Sequence, residues 1–372
     1  MTGHPAGPIG PVDALLVLSF GGPDGQDDVI PFLENVTRGR GIPAERLEEV
    51  ATHYRALGGR SPLNALNREI IDNLRAELAA RDRDLPVYFG NRNWAPYLTD
   101  TLREMAADGV RTAAVFATSA WGGYSGCAQY QEDLTRARRQ LTAAGEPAPT
   151  LYRLRQFHDH PLFIERVAAD LRRAWEVAGE KAREADDDGE GVGRGGEPRL
   201  VFTAHSVPSS ADATSGPRSY GGHLYSRQVA EAARLVAEAA GIAEYDVVWQ
   251  SRSGPPSVPW LEPDVVDHVT DLARRTGLRD VVICPVGFVS DHVEVVWDLD
   301  TELVDETADL GVRITRCATP GPSRQFTEMV LQLLDELETG ESVERLGTAP
   351  SLGCTRDGER CAEDCCPAPR RR

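Results

Sequence analysis

Residues 281–302 read Val-Val-Ile-Cys-Pro-Val-Gly-Phe-Val-Ser-Asp-His-Val-Glu-Val-Val-Trp-Asp-Leu-Asp-Thr-Glu, an apolar β-type run that turns directly into a helix opening. Glu294, Asp298 and Glu302 follow one another at spacings of four. Residues four apart share one face of an α-helix, and like charges placed there repel. A hard cation, which prefers oxygen ligands, would relieve that repulsion. The ridge predicts a track for a divalent metal, although these three residues alone leave a solvated acidic helix face as the alternative.

The same succession of strand and helix repeats along the chain and indicates an α/β fold. The predicted strands are Ala14–Phe20, Val87–Gly90, Thr112–Ala117, Leu151–Leu154, Leu200–Ala204, Asp246–Trp249, Val281–Val286 and Val312–Arg316. The predicted helices are Ala44–Leu57, Leu66–Arg81, Gln129–Ala144, Leu162–Ala182, Arg227–Ala240, Val265–Thr276, Glu294–Leu310 and Pro322–Leu337. This alternation favours parallel sheets with helices on both faces. Two groups of four strands divide near residue 155.

A chain of 372 residues exceeds the usual size of a single core, which predicts two domains. The predicted divisions are a flexible tail at 1–12, a first domain at 13–150 completed by a helix within 318–340, a second domain at 151–317 and a cysteine-rich tail at 341–372. Residues 184–197 are rich in Asp, Glu and Gly, and we expect them to form a flexible loop inside the second domain.

The composition excludes several classes of function. A net charge of −18 argues against a nucleic-acid-binding surface and is compatible with attracting cations. No apolar run is long enough for a transmembrane helix, and the N-terminus lacks the regions of a signal peptide, so the cytoplasm is the expected location. The phosphate-binding loop and the dinucleotide fingerprint do not occur at a strand–helix junction, which argues against a nucleotide site.

Glycine, aromatic and ionisable residues follow the predicted strands directly. Examples are Ser-Phe-Gly-Gly-Pro at 19–23 and Thr-Ala-His-Ser-Val-Pro at 203–208. Open α/β sheets bind ligands outside the carboxyl ends of their strands, so these segments are expected to line a cleft. A histidine at a strand end is more often structural, but beside the carboxylate ridge His205 becomes a candidate, because a neutral imidazole can bind a transition metal or accept a proton.

Long segments of the chain resemble the signature segments of ferrochelatases. These segments are Leu16–Pro23, Gly58–Leu63, Thr203–Pro208, Gln250–Arg252, Trp260–Pro263 and Cys284–Glu294. The similarity extends from about residue 13 to about residue 340. It implies two Rossmann-like domains, each with a four-stranded parallel sheet, in the type II chelatase fold around a porphyrin cleft. It also implies the insertion of Fe²⁺ into a porphyrin.

The resemblance carries particular roles onto residues of this chain. It implies that His205 and Glu294 are catalytic and contact the metal, and that Asp298 and Glu302 relay metal towards them. We expect His205 to accept a pyrrole proton, while the division of proton transfer and metal ligation between His205 and Glu294 stays open.

Five further positions match ferrochelatase residues around the porphyrin: Phe20, Arg38, Arg40, Ser61 and Tyr130. The two arginines lie in a segment that lines the porphyrin mouth, and arginine pairs bidentately with carboxylates such as the propionates. The serine and the tyrosine match hydroxyl donors. Phe20 stands where relatives that use coproporphyrin often carry a tyrosine that can face the iron, and a phenyl ring cannot ligate.

Four cysteines crowd the last nineteen residues: Cys354, Cys361, Cys365 and Cys366. In a cytosolic chain such clustering favours metal or cluster ligation over disulfides. The tail resembles the extension of ferrochelatases that hold a [2Fe–2S] cluster with one further ligand from the body of the protein. The implied ligands are Cys127, Cys354, Cys361 and either Cys365 or Cys366. Bound Zn²⁺ and a disordered tail with free thiols are the alternatives.

The resemblance as a whole implies a ferrochelatase of the [2Fe–2S] kind found in high-GC Gram-positive bacteria. We expect it to insert Fe²⁺ into coproporphyrin III to give coproheme in haem biosynthesis. Protoporphyrin IX is the alternative substrate, and transient contact with neighbouring haem-pathway enzymes is expected. A chelatase for another tetrapyrrole or for cobalt is a rival in the same class. A non-catalytic porphyrin or haem carrier on the same fold is the alternative from a different class.

Overall fold

The computed structural model describes residues 8–39, 41–187, 197–254, 257–341 and 344–368. Its strands are β1 (Ala14–Ser19), β2 (Val87–Asn91), β3 (Thr112–Ala117), β4 (Thr150–Arg153), β5 (Arg199–His205), β6 (Tyr245–Gln250), β7 (Asp280–Cys284) and β8 (Arg313–Arg316). They form two four-stranded sheets, ordered β2-β1-β3-β4 and β6-β5-β7-β8, in which every neighbouring pair is parallel. The predicted α/β fold with two parallel sheets is therefore confirmed.

The described α-helices cover both faces of the sheets. They are α1 (Val29–Val36), α2 (Ala44–Ala56), α3 (Leu63–Ala80), α4 (Leu98–Ala107), α5 (Gln129–Ala143), α6 (Pro161–Asp187), α7 (Ser209–Ala213), α8 (Leu224–Ala240), α9 (Val265–Thr276), α10 (Val293–Trp297), α11 (Leu303–Thr307) and α12 (Arg324–Thr339). None of them is both long and apolar enough to cross a membrane.

The central strands read as unbroken apolar runs because helices cover both of their faces. All six residues of β1 and all five of β7 are buried, without the alternation that one exposed face would produce. Parallel neighbours require a crossover connection, and α-helices form most of these crossovers. Packing on both faces therefore explains why short β-branched runs alternate with amphipathic helices in the sequence.

The first sheet extends beyond the predicted domain boundary. Strand β4 pairs with β3, so the first half of the molecule continues to Arg153 instead of ending at residue 150. Helix α12 then returns to pack on α3, which belongs to that same half, and on α6. The division near residue 155 coincides with the point where the chain leaves the first sheet.

Two segments expected to be flexible have regular contacts in their described parts. Helix α6 runs to Asp187, so residues 184–187 are helical, and residues 188–196 lie outside the described residues. Near the N-terminus, Ile9 N and Gly10 N donate to the carbonyl oxygens of Leu337 and Glu338, at 3.3 and 3.1 Å. The described end of the 1–12 tail is therefore held against α12.

The helix predicted at 294–310 is interrupted by a π-helical segment. Helix α10 ends at Trp297, the segment Asp298–Glu302 is π-helical, and α11 follows it. A second π-helical segment, Tyr124–Ala128, precedes α5. Since π-helical turns in proteins frequently occur at functional sites, both segments bear on where the sites lie.

Candidate active site

His205 and Glu294 meet at the carboxyl edge of the second sheet. His205 is the last residue of β5, and Glu294 lies in the first turn of α10, which follows the neighbouring strand β7. Parallel strands end at the same edge of a sheet, so side chains that follow them converge there. The His205 Nε2 atom lies 3.3 Å from Glu294 Oε2, and the two side chains are 36% and 45% exposed. The structure thus brings this pair into contact and leaves it open to solvent.

The tautomer of His205 determines what can lie between the two groups. His205 Nδ1 is 2.5 Å from the carbonyl oxygen of Ser206, so this nitrogen carries the hydrogen and donates it. In the neutral ring, Nε2 then presents its lone pair to Glu294. Burial acts to raise the pKa of Glu294, but the neighbouring histidines, His205 first, lower it by more, so that the pKa falls to about 2. Two acceptors at this distance repel each other unless a proton or a metal cation lies between them.

The same pair of groups shifts the pKa of the imidazole. Burial lowers the pKa of His205, but the hydrogen bond and the negative charge of Glu294 raise it by more, so the net shift is upward. The raised pKa makes the neutral ring of His205 a stronger base, and the ionised Glu294 stabilises the imidazolium that forms when the ring accepts a proton from a bound ligand.

Asp298 is the second carboxylate of the ridge and has two fixed donors. Its Oδ2 atom accepts a hydrogen bond from Gln250 Nε2 at 3.2 Å and another from the Ser251 hydroxyl. Burial, together with repulsion from Glu294 and Glu302, outweighs the two hydrogen bonds and raises the pKa of Asp298 to about 7. A half-buried carboxylate with two donors does not fit a simple solvated face. A cation would favour its ionised form by opposing both effects.

Glu302 is the outermost member of the ridge. It is exposed, and burial of its carboxylate, followed by repulsion from Asp264, raises its pKa. Because the segment between Asp298 and Glu302 is π-helical, a spacing of four there departs from the strict repeat of an α-helix. The three carboxylates nonetheless lead from the surface, past half-buried Asp298, to the pair at the sheet edge.

Contacts between the two halves of the molecule border this site. Trp121, after β3, donates from its indole Nε1 to the carbonyl oxygen of Gly287 at 2.7 Å. The ring of His53 on α2 stacks on Trp297 on α10, with centroids 4.2 Å apart. Sequence reasoning missed His53 and Trp297, because nothing in their local sequence indicates a partner from a distant segment.

The five predicted porphyrin contacts have different environments. Phe20 is 38% exposed at the end of β1, and Arg38 is exposed. Arg40 lies outside the described residues. Ser61 is only 3% exposed, and its backbone N–H donates to the carbonyl oxygen of Pro23.

Tyr130 is enclosed in the core of the first half. It is 4% exposed, and the guanidinium carbon of Arg92 lies 4.3 Å from the centre of its ring. Phe20 and Arg38 are therefore the exposed ones among the described positions, while the porphyrin contacts of Ser61 and Tyr130 stay predictions.

Four cysteine sulfurs form a chain of contacts: Cys127, Cys365 and Cys366, which are buried, and Cys361, which is partly buried. The π-helical segment Tyr124–Ala128 carries Cys127, whose thiol hydrogen-bonds to Cys361. Cys361 also contacts Cys365, and the sulfurs of Cys365 and Cys366 are 3.6 Å apart. The structure therefore brings three tail cysteines to the predicted body cysteine.

Nitrogen donors surround these sulfurs. Arg153 Nη1 lies 3.1 Å from Cys127 Sγ, Gly353 N lies 3.3 Å from Cys361 Sγ, and Gly216 N lies 3.1 Å from Cys366 Sγ. Donation from the Cys127 and Cys365 thiols is the main reason that the pKa of Cys361 is lowered. These contacts lower the pKa of Cys361 and Cys366 and so favour the thiolate, the metal-binding form of cysteine, at those two residues, whereas hydrogen bonding to Cys361 raises the pKa of Cys127 and Cys365.

Cys354 lies beside this cluster rather than in it. Within the described residues, no hydrogen bond joins its sulfur to the other four thiols, and burial, followed by the charge of Glu336, raises its pKa to about 12. The preceding Gly353 already donates its N–H to Cys361, while the Cys354 side chain packs in the main core. Both Cys365 and Cys366 therefore belong to the chain of contacts, whereas Cys354 packs beside it, and its implied role as a ligand stays a prediction.

Comparison with known proteins assigns the family. The ferrochelatase family model matches residues 12–337, so the chain belongs to the ferrochelatase family, enzymes that insert iron into a porphyrin. A curated relative from Nocardia farcinica, named coproporphyrin III ferrochelatase, is 58% identical over 361 residues, which cover 97% of this chain and 98% of the relative. A relative of the same name from Corynebacterium glutamicum is 52% identical and covers 95% and 92%.

A solved structure, SirB from Bacillus subtilis with Fe³⁺, aligns with a TM-score of 0.49 and 12% identity over 88% of this chain and 96% of that chain.

Proposed function

We propose that this chain inserts Fe²⁺ into coproporphyrin III to give coproheme. One observation carries the proposal: an ionised carboxylate faces the Nε2 atom of His205 at 3.3 Å, at an open sheet edge. Such a pair needs a proton or a cation between its members, and metal insertion supplies both in turn. The names of the relatives at 58% and 52% identity support coproporphyrin III as the substrate.

The histidine performs the proton chemistry in this proposal. A free-base porphyrin loses two pyrrole protons while the iron enters, and the iron keeps its oxidation state. His205 is anchored through Nδ1 to the Ser206 carbonyl, so Nε2 is the atom that accepts a pyrrole proton. The ionised Glu294 stabilises the imidazolium that forms, and the exposed pair releases the proton to solvent before accepting the next one.

The acidic ridge supplies the iron in this proposal. Fe²⁺ would first meet Glu302 at the surface and then Asp298, whose carboxylate Gln250 and Ser251 hold in place. Carboxylates exchange oxygen ligands readily, so each can release a partly hydrated ion to the next. Glu294 is the last carboxylate before the porphyrin, where the ion meets the nitrogen lone pairs that deprotonation has exposed.

The porphyrin carboxylates need cationic partners, and the proposed ones are Arg38 and Arg40. Arg38 is exposed on the segment after α1 and is free to pair bidentately with a propionate. Phe20 offers an apolar edge to the macrocycle, and its ring packs edge-on against Phe32, with centroids 6.4 Å apart.

We further propose a [2Fe–2S] cluster held by Cys127, Cys361, Cys365 and Cys366. When bound, the cluster would supply an iron–sulfur centre that fixes the tail onto the first domain. Two features support the fit: the sulfurs of Cys365 and Cys366 form one close pair, with Cys127 and Cys361 as another, and N–H donors point at the sulfurs. Zn²⁺ held by four thiolates is the rival occupant.

We also propose the cytoplasm as the location of the protein, because its seven cysteines are free.

Anaerobic assays with two porphyrins test the proposed activity. Fe²⁺ is added with coproporphyrin III or with protoporphyrin IX, and the absorption bands of the free-base porphyrin are followed. We expect coproporphyrin III to be converted with a kcat/KM at least about tenfold higher, equivalent to roughly 1.4 kcal/mol of transition-state binding. Faster conversion of protoporphyrin IX would reverse the substrate assignment. A spectral shift on binding without conversion of either porphyrin would indicate a carrier.

A further inference from the structure

A second group of metal-ligating side chains lies where the crossover from β4 to α6 meets α8. His158 and Asp159 belong to that crossover, and Glu231 projects from α8. One ligand atom from each residue lies within 4.8 Å of the other two. His158 and Asp159 are fully buried. We propose that this triad is a structural binding site for one divalent transition-metal ion of the Zn²⁺ class, separate from the active site and from the cysteine cluster.

Most of the polar atoms of the triad have no hydrogen-bond partner among the described residues. This is true of both ring nitrogens of His158 and of both carboxylate oxygens of Asp159. The nearest guanidinium atoms to that carboxylate are those of Arg345 at 3.6 Å and Arg155 at 3.8 Å. A buried polar group without a partner costs about 1–3 kcal/mol, and an ion that binds one ring nitrogen of His158 and the carboxylate of Asp159 would remove part of that cost.

The spacing of the ligand atoms matches a metal site better than a hydrogen bond. His158 Nε2 lies 3.5 Å from Glu231 Oε2. Zn²⁺ binds imidazole nitrogen and carboxylate oxygen at about 2.0–2.2 Å, which sets two tetrahedral ligand atoms roughly 3.4 Å apart. Imidazole together with carboxylates suits Zn²⁺ or Fe²⁺, whereas Mg²⁺ and Ca²⁺ prefer oxygen ligands alone. A water molecule would complete four-coordination.

The C-terminal segment already orients Glu231. Thr348 N and Ala349 N donate to its carboxylate oxygens at 2.6 and 2.9 Å. A Cβ on Gly347 would lie 2.2 Å from Oε2, so glycine is required for this close approach. Hydrogen bonds that fix a ligating carboxylate are typical of metal sites.

The neighbouring arginines leave negative charge on the triad. Arg155 pairs with Glu336 at 2.8 Å, and Arg345, with a side chain 34% exposed, is the other cation near Asp159. Buried carboxylates are ordinarily paired or bound to a metal, and the two arginines beside Asp159 come only within 3.6 and 3.8 Å of it. A dication would neutralise the charge that remains.

A metal ion at this site would fasten the C-terminal segment ahead of the cysteine cluster. It would join the β4–α6 crossover, α8 and, through Glu231, the backbone of residues 348 and 349. The ring of His158 also lies 6.3 Å from that of Trp121, which donates to Gly287 near the active site. The inference does not depend on the proposed substrate, because none of the three ligands belongs to the active-site pair.

Metal counting on the full-length protein tests the site. Protein produced with Zn²⁺ in the medium is desalted, and its zinc and iron are counted by plasma mass spectrometry. We expect about one Zn²⁺ per chain in the parent protein and less than about 0.2 in His158→Gln and in Glu231→Gln. Glu231→Gln keeps an oxygen that can accept from Thr348 and Ala349, so it removes the charge while preserving the docked segment.

Two further variants separate the site from the other places that can bind metal. Glu294→Gln weakens the active site and Cys361→Ser breaks the thiol cluster, and both should retain the Zn²⁺. His223→Gln, which removes a surface histidine paired with Asp212, should also retain it.

The inference is overturned if the parent protein carries no Zn²⁺, or if the ion survives in Glu231→Gln. Should His158→Gln fail to fold, cobalt absorption of the Cys361→Ser protein decides the question. Weak visible bands without thiolate charge transfer support the site, and featureless spectra exclude it.

Discussion

The two π-helical segments lead to the two proposed metal sites, the active site and the cysteine cluster, and these differ in ligand type and burial. Asp298–Glu302 continues the acidic ridge, whose inner end is exposed to the extent of 36% and 45% at His205 and Glu294. Tyr124–Ala128 carries Cys127 into a cluster of thiols of which three are buried and one, Cys361, is partly buried. A site that passes ions on needs open and readily exchanged oxygen ligands, whereas a site that retains iron needs buried thiolates supported by N–H donors. The same local distortion therefore serves opposite purposes, depending on ligand type and burial.

Glu294→Gln should have the largest effect of these changes, because it disables the exposed active site at His205 and Glu294. The substitution keeps the shape of the side chain but removes the charge that holds a proton or cation against His205. We expect kcat/KM for metal insertion to fall by about 10²–10⁴ while porphyrin affinity, measured by fluorescence quenching, stays within about twofold. Glu306→Gln, on the exposed face of α11, is the control and should leave turnover unchanged. Undiminished turnover in Glu294→Gln would remove this carboxylate from the mechanism.

Cys361→Ser should abolish the cysteine cluster and leave the active site at His205 and Glu294 intact. Because Cys361 contacts both Cys127 and Cys365, its loss should eliminate the visible absorption of a [2Fe–2S] cluster completely. Cys354→Ser is the comparison, since Cys354 is a neighbouring, buried tail cysteine that belongs to the ligand set implied by the sequence. We expect Cys354→Ser to keep its colour in absorption spectra. A colourless Cys354→Ser with a coloured Cys366→Ser would restore the sequence-implied set.

Ser251→Ala should weaken metal binding at the acidic ridge of the active site without removing any of its carboxylates. The Ser251 hydroxyl is one of two donors that orient Asp298, and loss of such a supporting hydrogen bond typically costs about 10-fold in metal affinity. We expect the KM for Fe²⁺ to rise by about that factor while the KM for the porphyrin is unchanged. Ser253→Ala, an exposed serine on the same loop, serves as the control. Equal increases in both KM values would indicate a general disturbance of the loop.

Strand periodicity and strand-end chemistry were predictable because both are local. The buried runs of β1 and β7 can be read directly as strands, and His205 and Glu294 lie where parallel strands end together. Helix α1 was missed because Pro31 interrupts its pattern, although proline is tolerated in the first turn of a helix. Helix α4 was missed despite apolar Leu98, Leu102 and Met105 at spacings of four and three.

Other features depend on contacts between distant segments and could not be read from the sequence. The carboxylates are four positions apart in the sequence whether the backbone at Asp298 is α-helical or π-helical. The spacing therefore predicted a continuous α-helix. Tyr130 is buried because Arg92, thirty-eight positions earlier, packs against its ring. Likewise, the choice among Cys354, Cys365 and Cys366 depends on how the tail folds back over residues 123–127. These are tertiary effects that no local pattern of residue types records.

Asp13→Asn should have the smallest effect. It should lower the stability of the fold without changing the rate of metal insertion. Asp13 belongs to neither metal region, and its carboxylate accepts hydrogen bonds from Arg111 N and Thr112 N at 2.9 and 2.8 Å. These bonds lower its pKa below the ordinary value of 3.8. The ionised carboxylate therefore stabilises the fold above that pH, and its contribution disappears as the pH falls through the lowered pKa.

The expected loss in Asp13→Asn is at most about 1 kcal/mol at pH 7, seen as a decrease of roughly 1–3 °C in Tm. Thermal unfolding from pH 7 to pH 3 should show the gap between the parent and Asp13→Asn closing towards the acid end. Turnover per folded molecule should be unchanged, which is the reverse of the Glu294→Gln result. A gap that stayed constant with pH would mean that the Asp13 charge contributes nothing, because asparagine keeps an acceptor oxygen at the same position.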